Sequence, residues 1–313
     1  MDYAVPHSSR NGGFMIETYE EFVSRLMNRI SEEFSEEINF NRRNILKNNG
    51  KRLDAITLCR TGYNLCPTIY PEYYYEQYSR GMDFETLFVR IMEGIRREIS
   101  VEDLNLGSLS DFATLRDRIT FRLINAARNE ELLSEICYKP YLDLAIVFSC
   151  VVSIKGEETA SFLIRREHLL MWDVTVDQLF ALARENTPRL FPVRCQGILE
   201  VLEEEYPGSV PESFSNLEER MYVLTNTLKL HGAGCILYRH ILRDLGEKLG
   251  RDLYLIPSSI HEMLIVPAFE EIDSACFRDM IAQGNADTVT EEEYLSDHAY
   301  FYKRKSNRLS AIA

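Results

Sequence analysis

One stretch near the C-terminus, residues 234–267, constrains the fold more than any other part of the sequence. It contains three short apolar runs, at 235–237, 253–256 and 263–266. Between the first two runs, apolar residues at helical spacing end at Gly250, a residue that readily adopts the left-handed conformation that closes a helix. The predicted order is therefore strand, helix, strand, turn, strand. Strands this apolar need a helical cover, because a bare sheet face would leave them in water.

Two hairpins are predicted from their turn residues. The second and third apolar runs of this stretch are expected to pair across a five-residue polar loop, 258–262. Nearer the N-terminus, Lys47-Asn48-Asn49-Gly50 separates predicted strands at 38–46 and 53–59. Asn and Gly tolerate the positive φ angles of a tight turn, so this segment favours a hairpin.

Two helices are predicted to begin at capping boxes, in which two side chains satisfy free backbone donors at the helix start. Thr18 and Glu21 form the first box, and Thr175 and Gln178 form the second. Apolar residues at helical spacing follow each box. The second helix is expected to stop at Asn186-Thr187-Pro188, because a proline removes a backbone donor.

Together these patterns predict an α+β fold. It starts with an N-terminal helix plus a ββα segment and continues with two hairpin–helix (ββα) units, whose strands form a mixed or antiparallel sheet covered by helices. We expect a disordered tail at 1–15, an N-terminal α+β domain at 16–105 and a C-terminal α+β domain at 106–313. The two ββα-like units are assigned to 144–185 and 221–267, and the first opens on a strongly apolar central strand.

Composition excludes several classes of protein. The chain has 313 residues and a formal net charge of −14, so it lacks the excess of Lys and Arg with which nucleic-acid binders neutralise phosphates. No stretch approaches the roughly 18 uninterrupted apolar residues of a membrane span, and the N-terminus has no apolar core typical of a secretory signal. Seven cysteines form no CxxC pair, which favours a reducing, cytoplasmic setting.

No strong catalytic or phosphate-binding motif is present, and no cofactor or metal is predicted. Some polar residues in turns and near strand ends nevertheless carry groups that can bind metals or transfer protons. If the terminal strand lay beside the 258–262 turn, several of them could converge on one site. The alternative is that they are hydrogen-bonding or solvated groups. These candidate residues are Asn186, Ser258, Ser259, His261, Glu262, Asp297 and His298.

Several runs of residues resemble a known family. They are Leu46 to Gly50, Pro67-Thr68-Ile69-Tyr70, YLDLAIVF at 141–148, residues 167–172, Asn186 to Leu190 and Leu255 to Glu262. Over most of the chain, from about Ile16 to Tyr302, the sequence resembles an uncharacterised bacterial domain-of-unknown-function family (number 5688) of gut Firmicutes. More distantly, its layout is similar to the uncharacterised YtpQ-like proteins. The resemblance implies a bacterial, cytoplasmic α+β protein and brings no known activity, substrate or catalytic residue.

These observations favour a non-catalytic protein-interaction or ligand-binding module, with a protein partner of unidentified kind. One alternative is a metal-assisted hydrolase that uses His261, Glu262, Asp297 and His298. A second alternative is an acidic mimic of nucleic acid, since a chain this acidic could compete with DNA for a basic partner.

Overall fold

A computed structural model of the chain describes residues 17–34, 38–59, 67–99, 111–156, 158–208, 221–269 and 274–312. The chain divides into two compact units, 1–45 with 52–105, and 46–51 with 106–313. The predicted tail at 1–15 lies outside the described residues. The domain bounds drawn from the sequence remain predictions.

The elements of the first unit are α1 (Tyr19–Glu33), β1 (Asn39–Leu46), β2 (Arg52–Cys59), β3 (Thr68–Ile69), α2 (Pro71–Ser79) and α3 (Phe84–Ile99). The helices pack with a three-stranded sheet of order β1-β2-β3. α1 begins at the predicted capping box, where Thr18 N donates to Glu21 Oε2 at 2.8 Å. The predicted hairpin is confirmed. Asn49 and Gly50 in its turn both have positive φ and fall within residues 46–51, which belong to the second unit. Apolar faces of α1 and α3 and residues of β2 form the core.

The second unit contains two antiparallel sheets and the helices that pack on them. Its first half contains α4 (Phe112–Leu115), β4 (Ile119–Asn125), α5 (Glu130–Glu135), β5 (Tyr138–Tyr141), β6 (Leu144–Lys155), β7 (Glu158–Leu163), α6 (Arg166–Trp172) and α7 (Val176–Leu190). Its second half contains β8 (Val193–Gly197), α8 (Ile198–Glu205), β9 (Tyr222–Asn226), a 3₁₀ helix (Gly232–Leu237), α9 (Ile241–Leu249), β10 (Leu253–Ser259), β11 (Glu262–Pro267), α10 (Ser274–Asp287), β12 (Tyr300–Lys303) and β13 (Arg308–Ala311).

β6 is the central strand of the first of these sheets, as its continuous apolar run predicts. It pairs with β4 on one side and with both β5 and β7 on the other. The second sheet has six strands in the order β13-β12-β10-β11-β9-β8. Apolar residues of both sheets and of α7 belong to one buried cluster, so the two sheets share a core. The α+β class predicted from the sequence is confirmed.

Within the stretch 234–267, the structure confirms two predicted strands and corrects the third. The runs at 253–256 and 263–266 pair in register as β10 and β11. The run at 235–237 belongs instead to the buried 3₁₀ helix. Burial alone makes such a run apolar, and three residues are too few for periodicity to separate a strand from a helical turn. The second predicted ββα-like unit, at 221–267, is therefore not a ββα unit. In this range only one strand, β9, precedes α9.

The predicted five-residue loop between β10 and β11 is also wrong. Ser259 pairs with Glu262 across a turn that contains only Ile260 and His261. β10 continues through Pro257. A register shift between Pro257 and Ser259 interrupts the regular hydrogen bonding there, and irregularities of this kind tolerate a proline, which has no N–H to donate.

α7 begins at the predicted box of Thr175 and Gln178, but it does not stop at Asn186-Thr187-Pro188. The helix runs on to Leu190 with Pro188 inside its last turn. Tertiary hydrogen bonds of the two residues before the proline hold this turn in place. Thr187 Oγ1 accepts a bond from the Phe121 backbone N–H at 3.0 Å, and Asn186 Nδ2 donates to the carbonyl oxygen of Ile119 at 3.0 Å.

Candidate functional site

A small cavity with both polar and apolar lining residues lies against β4, β6 and β7 in the second unit. Side chains alternate between the two faces of a strand, and Thr120 pairs with Ser149 across β4 and β6. Arg122, two residues further along β4, therefore lies on the same face, as does Ser161, which pairs with Val151. The strand pattern thus places a row of polar side chains on one face of the sheet. The residues that alternate with them along β4, such as Phe121 and Leu123, are apolar and face the other side.

Four buried polar atoms without a hydrogen-bond partner belong to residues that line this cavity. They are Arg122 Nε, Ser149 Oγ, Thr159 Oγ1 and His231 Nδ1. Ser149 is only 5% exposed. Native proteins leave few buried polar groups unsatisfied, and a cluster of them calls for a bound ion, a ligand or ordered water. The cavity has a volume of about 30 Å³, enough for roughly two waters or one small ion.

Arg122 is the only cation among the described residues that line the cavity, and no Asp or Glu is among them. Its Nη1 lies 3.0 Å from His231 Nε2. Burial lowers the pKa of Arg122 to about 10, because no carboxylate offsets the loss of water around the charge. Arg42 shows the ordinary arrangement, since its guanidinium donates to both Asp54 and Glu20 at 2.7 Å.

His231 is held by the loop between β9 and the 3₁₀ helix. The residue has a left-handed φ of 52°, a conformation that costs energy for a side chain larger than glycine. Its backbone N–H donates to His261 Nδ1 at 3.2 Å, and the two imidazole rings stack with centroids 5.5 Å apart. Burial, and then the nearby charges of Arg122 and His261, hold the pKa of His231 well below its ordinary value of 6.5.

The turn between β10 and β11 packs tightly against this loop. A side chain at Gly232 would place its Cβ 2.1 Å from Thr225 Oγ1 and 2.4 Å from the carbonyl oxygen of His261. The Ala233 N–H donates to the Ile260 carbonyl at 3.2 Å. The hairpin turn therefore contacts the loop that carries His231 and limits the space in which this loop can move.

The four candidates in this hairpin turn form local hydrogen bonds. Ser258 Oγ donates to Glu262 Oε1 at 2.9 Å, and Ser259 Oγ accepts from the His261 N–H at 3.0 Å. His261 Nε2 lies 3.7 Å from Glu293 Oε1. Since His261 Nδ1 accepts a bond, its Nε2 carries the proton and faces this carboxylate. His261 thus holds His231 in place by accepting a hydrogen bond from its backbone N–H and by stacking on its ring.

The other two acid–base candidates, Asp297 and His298, contact each other, and His298 also lies near the carboxylate of Asp143. Asp297 Oδ1 lies 2.8 Å from His298 Nδ1, which also lies 3.7 Å from Asp143 Oδ2. Asp143 accepts bonds from Ser296 Oγ at 2.6 Å and from Tyr300 Oη at 2.8 Å. Across the described ranges, no group of three or more His, Cys, Asp or Glu side chains is arranged to hold a metal. The metal site on which the hydrolase alternative depends is not assembled there.

Asn186, the remaining candidate, donates from Nδ2 to the carbonyl oxygens of Arg116 and Ile119 at 2.8 and 3.0 Å. Both acceptors precede or begin β4, so this side chain fixes the start of the strand. Its role in the structure is to satisfy backbone groups.

Sequence reasoning missed the two residues that dominate the cavity, Arg122 and His231. One signal for Arg122 was available: it interrupts the apolar strand Ile119 to Asn125, where an arginine is rarely buried without a partner. No comparable signal marked His231, because its position depends on a loop that folds back against β4.

None of the helices in the described ranges is both long and apolar enough to cross a membrane. A family model described as "Family of unknown function (DUF5688)" matches residues 19–304. The chain belongs to this family. The match spans both compact units and includes the cavity residues on β4, β6 and β7. No curated protein and no solved structure is similar enough to the chain to count as a match.

Proposed function

We propose that this protein is a non-catalytic ligand-binding module whose cavity at Arg122 receives an anionic group. The observation that carries the proposal is a half-buried arginine whose Nε is buried without a partner, in a cavity with no acidic residue among the described residues that line it. We also infer that the module works in a bacterial cytoplasm, as the family resemblance implies.

An unpaired buried charge is costly, and proteins normally pair it or neutralise it. His231 does not do so, because an imidazole facing Arg122 at 3.0 Å accepts one bond but carries no negative charge. A bound anion would supply the missing charge. Arg is suited to this role, since its planar guanidinium bonds carboxylate and other oxyanions through two parallel donors.

The size of the cavity limits what enters it. About 30 Å³ admits one small anionic group, so the remainder of a larger ligand would lie outside. The groups around Arg122 supply hydroxyl and imidazole donors and no catalytic pairing of nucleophile and base. This arrangement supports binding rather than turnover.

The test is isothermal titration of the full chain with sodium acetate, sulfate and phosphate, at constant ionic strength set with chloride. We expect saturable binding of at least one of these anions by the wild-type chain. The Arg122→Gln variant should lose it. Arg116→Gln is the matched control, because the Arg116 side chain is 58% exposed and its Nε lies 3.8 Å from Oδ1 of the neighbouring Asp117. This variant should bind as the wild type does.

Circular dichroism and thermal melting of each variant verify that it folds, and Arg122→Lys provides a second variant that keeps the charge. Arg122→Lys should bind more weakly than the wild type and more strongly than Arg122→Gln. The absence of saturable binding to the wild type, or equal binding by the wild type and Arg122→Gln, would contradict the proposal.

A further inference from the structure

We infer that the cavity selects an oxyanion that carries no proton of its own, a carboxylate or a sulfate group, over a hydrogen phosphate. This inference rests on the proposed function, since it specifies the anion that Arg122 receives. It comes from an accounting of the donors and acceptors on the four unpartnered atoms of the cavity.

Two of these atoms, Arg122 Nε and His231 Nδ1, are hydrogen-bond donors. Arg122 Nε carries a proton and can only donate. His231 Nε2 faces a guanidinium nitrogen at 3.0 Å and must accept from it, so the neutral ring carries its proton on Nδ1. Both unpartnered nitrogens therefore need an acceptor.

The other two atoms are the hydroxyl oxygens of Ser149 and Thr159, which can in principle donate or accept. Neither has a hydrogen-bond partner of any kind. If either hydroxyl accepted a proton from a ligand, its own O–H would still lack an acceptor. Each hydroxyl is satisfied in full only when it donates. Ser149 pairs with Thr120, two residues from Arg122, whereas Thr159 pairs with Ile154 further along β6. The donors that meet at the guanidinium are therefore those of Arg122, His231 and Ser149, and all three favour a ligand that accepts.

A carboxylate or a sulfate offers only acceptor oxygens. Inorganic phosphate near neutral pH keeps at least one O–H, which needs an acceptor of its own, and no Asp or Glu among the described lining residues supplies one. An unsatisfied polar group in a buried site lowers affinity on the order of tenfold to a hundredfold. Phosphate should therefore bind more weakly than the better of the other two anions by at least about tenfold.

The decisive experiment compares acetate, methyl sulfate, sulfate and inorganic phosphate by titration calorimetry on the full chain at neutral pH and constant ionic strength. Tightest binding of acetate would identify a carboxylate ligand, and tightest binding of sulfate or methyl sulfate would identify a sulfate group. Either result supports the inference if inorganic phosphate binds at least about tenfold more weakly. Phosphate binding that equals or exceeds the others would overturn it and leave the proposed function standing. Failure of every anion to bind would overturn both.

A serine variant distinguishes binding that depends on the hydroxyl donors from binding that depends only on the positive charge of Arg122. Ser149→Ala removes one of the donors and should weaken binding of the preferred anion about tenfold. Ser153→Ala, on the same strand but outside this cavity, should leave the affinity unchanged. Equal affinities for the wild type and Ser149→Ala would show that the hydroxyl does not contact the ligand and would overturn the inference.

Discussion

Arg122 Nη1 lies 3.0 Å from His231 Nε2, although the two residues are 109 positions apart in the chain. The contact joins a cation to a neutral base, so it satisfies a hydrogen bond without balancing a charge. Such a pair is a poor choice for stability alone, because replacing buried charges by apolar groups of similar volume is often neutral or stabilising. The pair is understandable if an anion completes the site.

Replacing Arg122 with Met should therefore leave the ligand-free protein at least as stable as the wild type. The substitution removes the unpaired charge and the unpartnered Nε while keeping much of the volume, and we expect a free energy of unfolding that is unchanged or higher by up to about 2 kcal/mol. Urea denaturation followed by circular dichroism measures it.

The comparison variant for Arg122→Met is Leu123→Ala. Leu123 is the next residue of β4 and is fully buried in the shared core. Its truncation should cost about 2–5 kcal/mol. A loss of more than about 2 kcal/mol in Arg122→Met would mean that the guanidinium stabilises the fold without a ligand, which would contradict this prediction.

Gly232→Ala should destabilise the protein by about 3 kcal/mol or more. The new Cβ would meet Thr225 Oγ1 at 2.1 Å and the His261 carbonyl oxygen at 2.4 Å, and a backbone carbonyl cannot move aside as a flexible side chain can. Thermal and urea unfolding measure the loss. Gly284→Ala in α10 is the control, because a Cβ there meets nothing within 4 Å. That variant should be neutral or up to about 1 kcal/mol more stable; similar losses in both variants would refute the steric explanation.

The elements that the sequence predicted correctly are those with a local cause. Both helix starts followed from capping boxes, in which partners are three residues apart. The hairpin at Asn49 and Gly50 followed from residues that tolerate positive φ. The run at 235–237 was misread because its apolar character reflects burial against two sheets, and burial by itself does not distinguish a strand from a 3₁₀ turn.

The candidate site was predictable only in part, for a related reason. The sequence offered the turn around His261 as a candidate metal or proton-transfer site, and in the structure the contacts of His261 run to His231 and Glu293. The proposed anion-binding residue, Arg122, contacts the other side of His231 through Nε2. Pairing of β4 with β6, and the return of the loop after β9, bring Arg122, Ser149 and His231 together. Such long-range pairings leave no mark on the spacing of residues along the chain.

Asn186→Ala should lower the free energy of unfolding by about 2 kcal/mol, because two backbone carbonyls at the start of β4 would lose their donor. Anion affinity, measured by titration in the same variant, should stay within about twofold of the wild type. Glu185→Ala is the neighbouring control, since its side chain is 73% exposed, and it should change stability by less than about 0.5 kcal/mol. A selective loss of anion binding in Asn186→Ala would return this residue to the binding site.

The stability of the ligand-free protein should decrease as the pH falls below about 6.5. The folded chain keeps His231 neutral because of burial, Arg122 and His261, so its pKa lies well below the ordinary 6.5. The unfolded chain binds a proton there first, and the free energy of unfolding then falls by up to about 1.4 kcal/mol per pH unit until the folded pKa is reached. Above about pH 6.5 this contribution is present in full.

Urea denaturation at pH 7.5 and 5.5 measures this slope in the wild type and in His231→Gln. The variant should lose less stability on acidification than the wild type does. His168, whose pKa burial also lowers, contributes a part of the slope that remains in both proteins and cancels in the comparison.

A saturating anion should also reduce the pH dependence of the wild-type stability, because its charge offsets Arg122 and favours a protonated imidazole at His231. Parallel slopes in wild type and His231→Gln would show that His231 titrates alike in the folded and unfolded chains, and the buried pairing with Arg122 would then need another explanation.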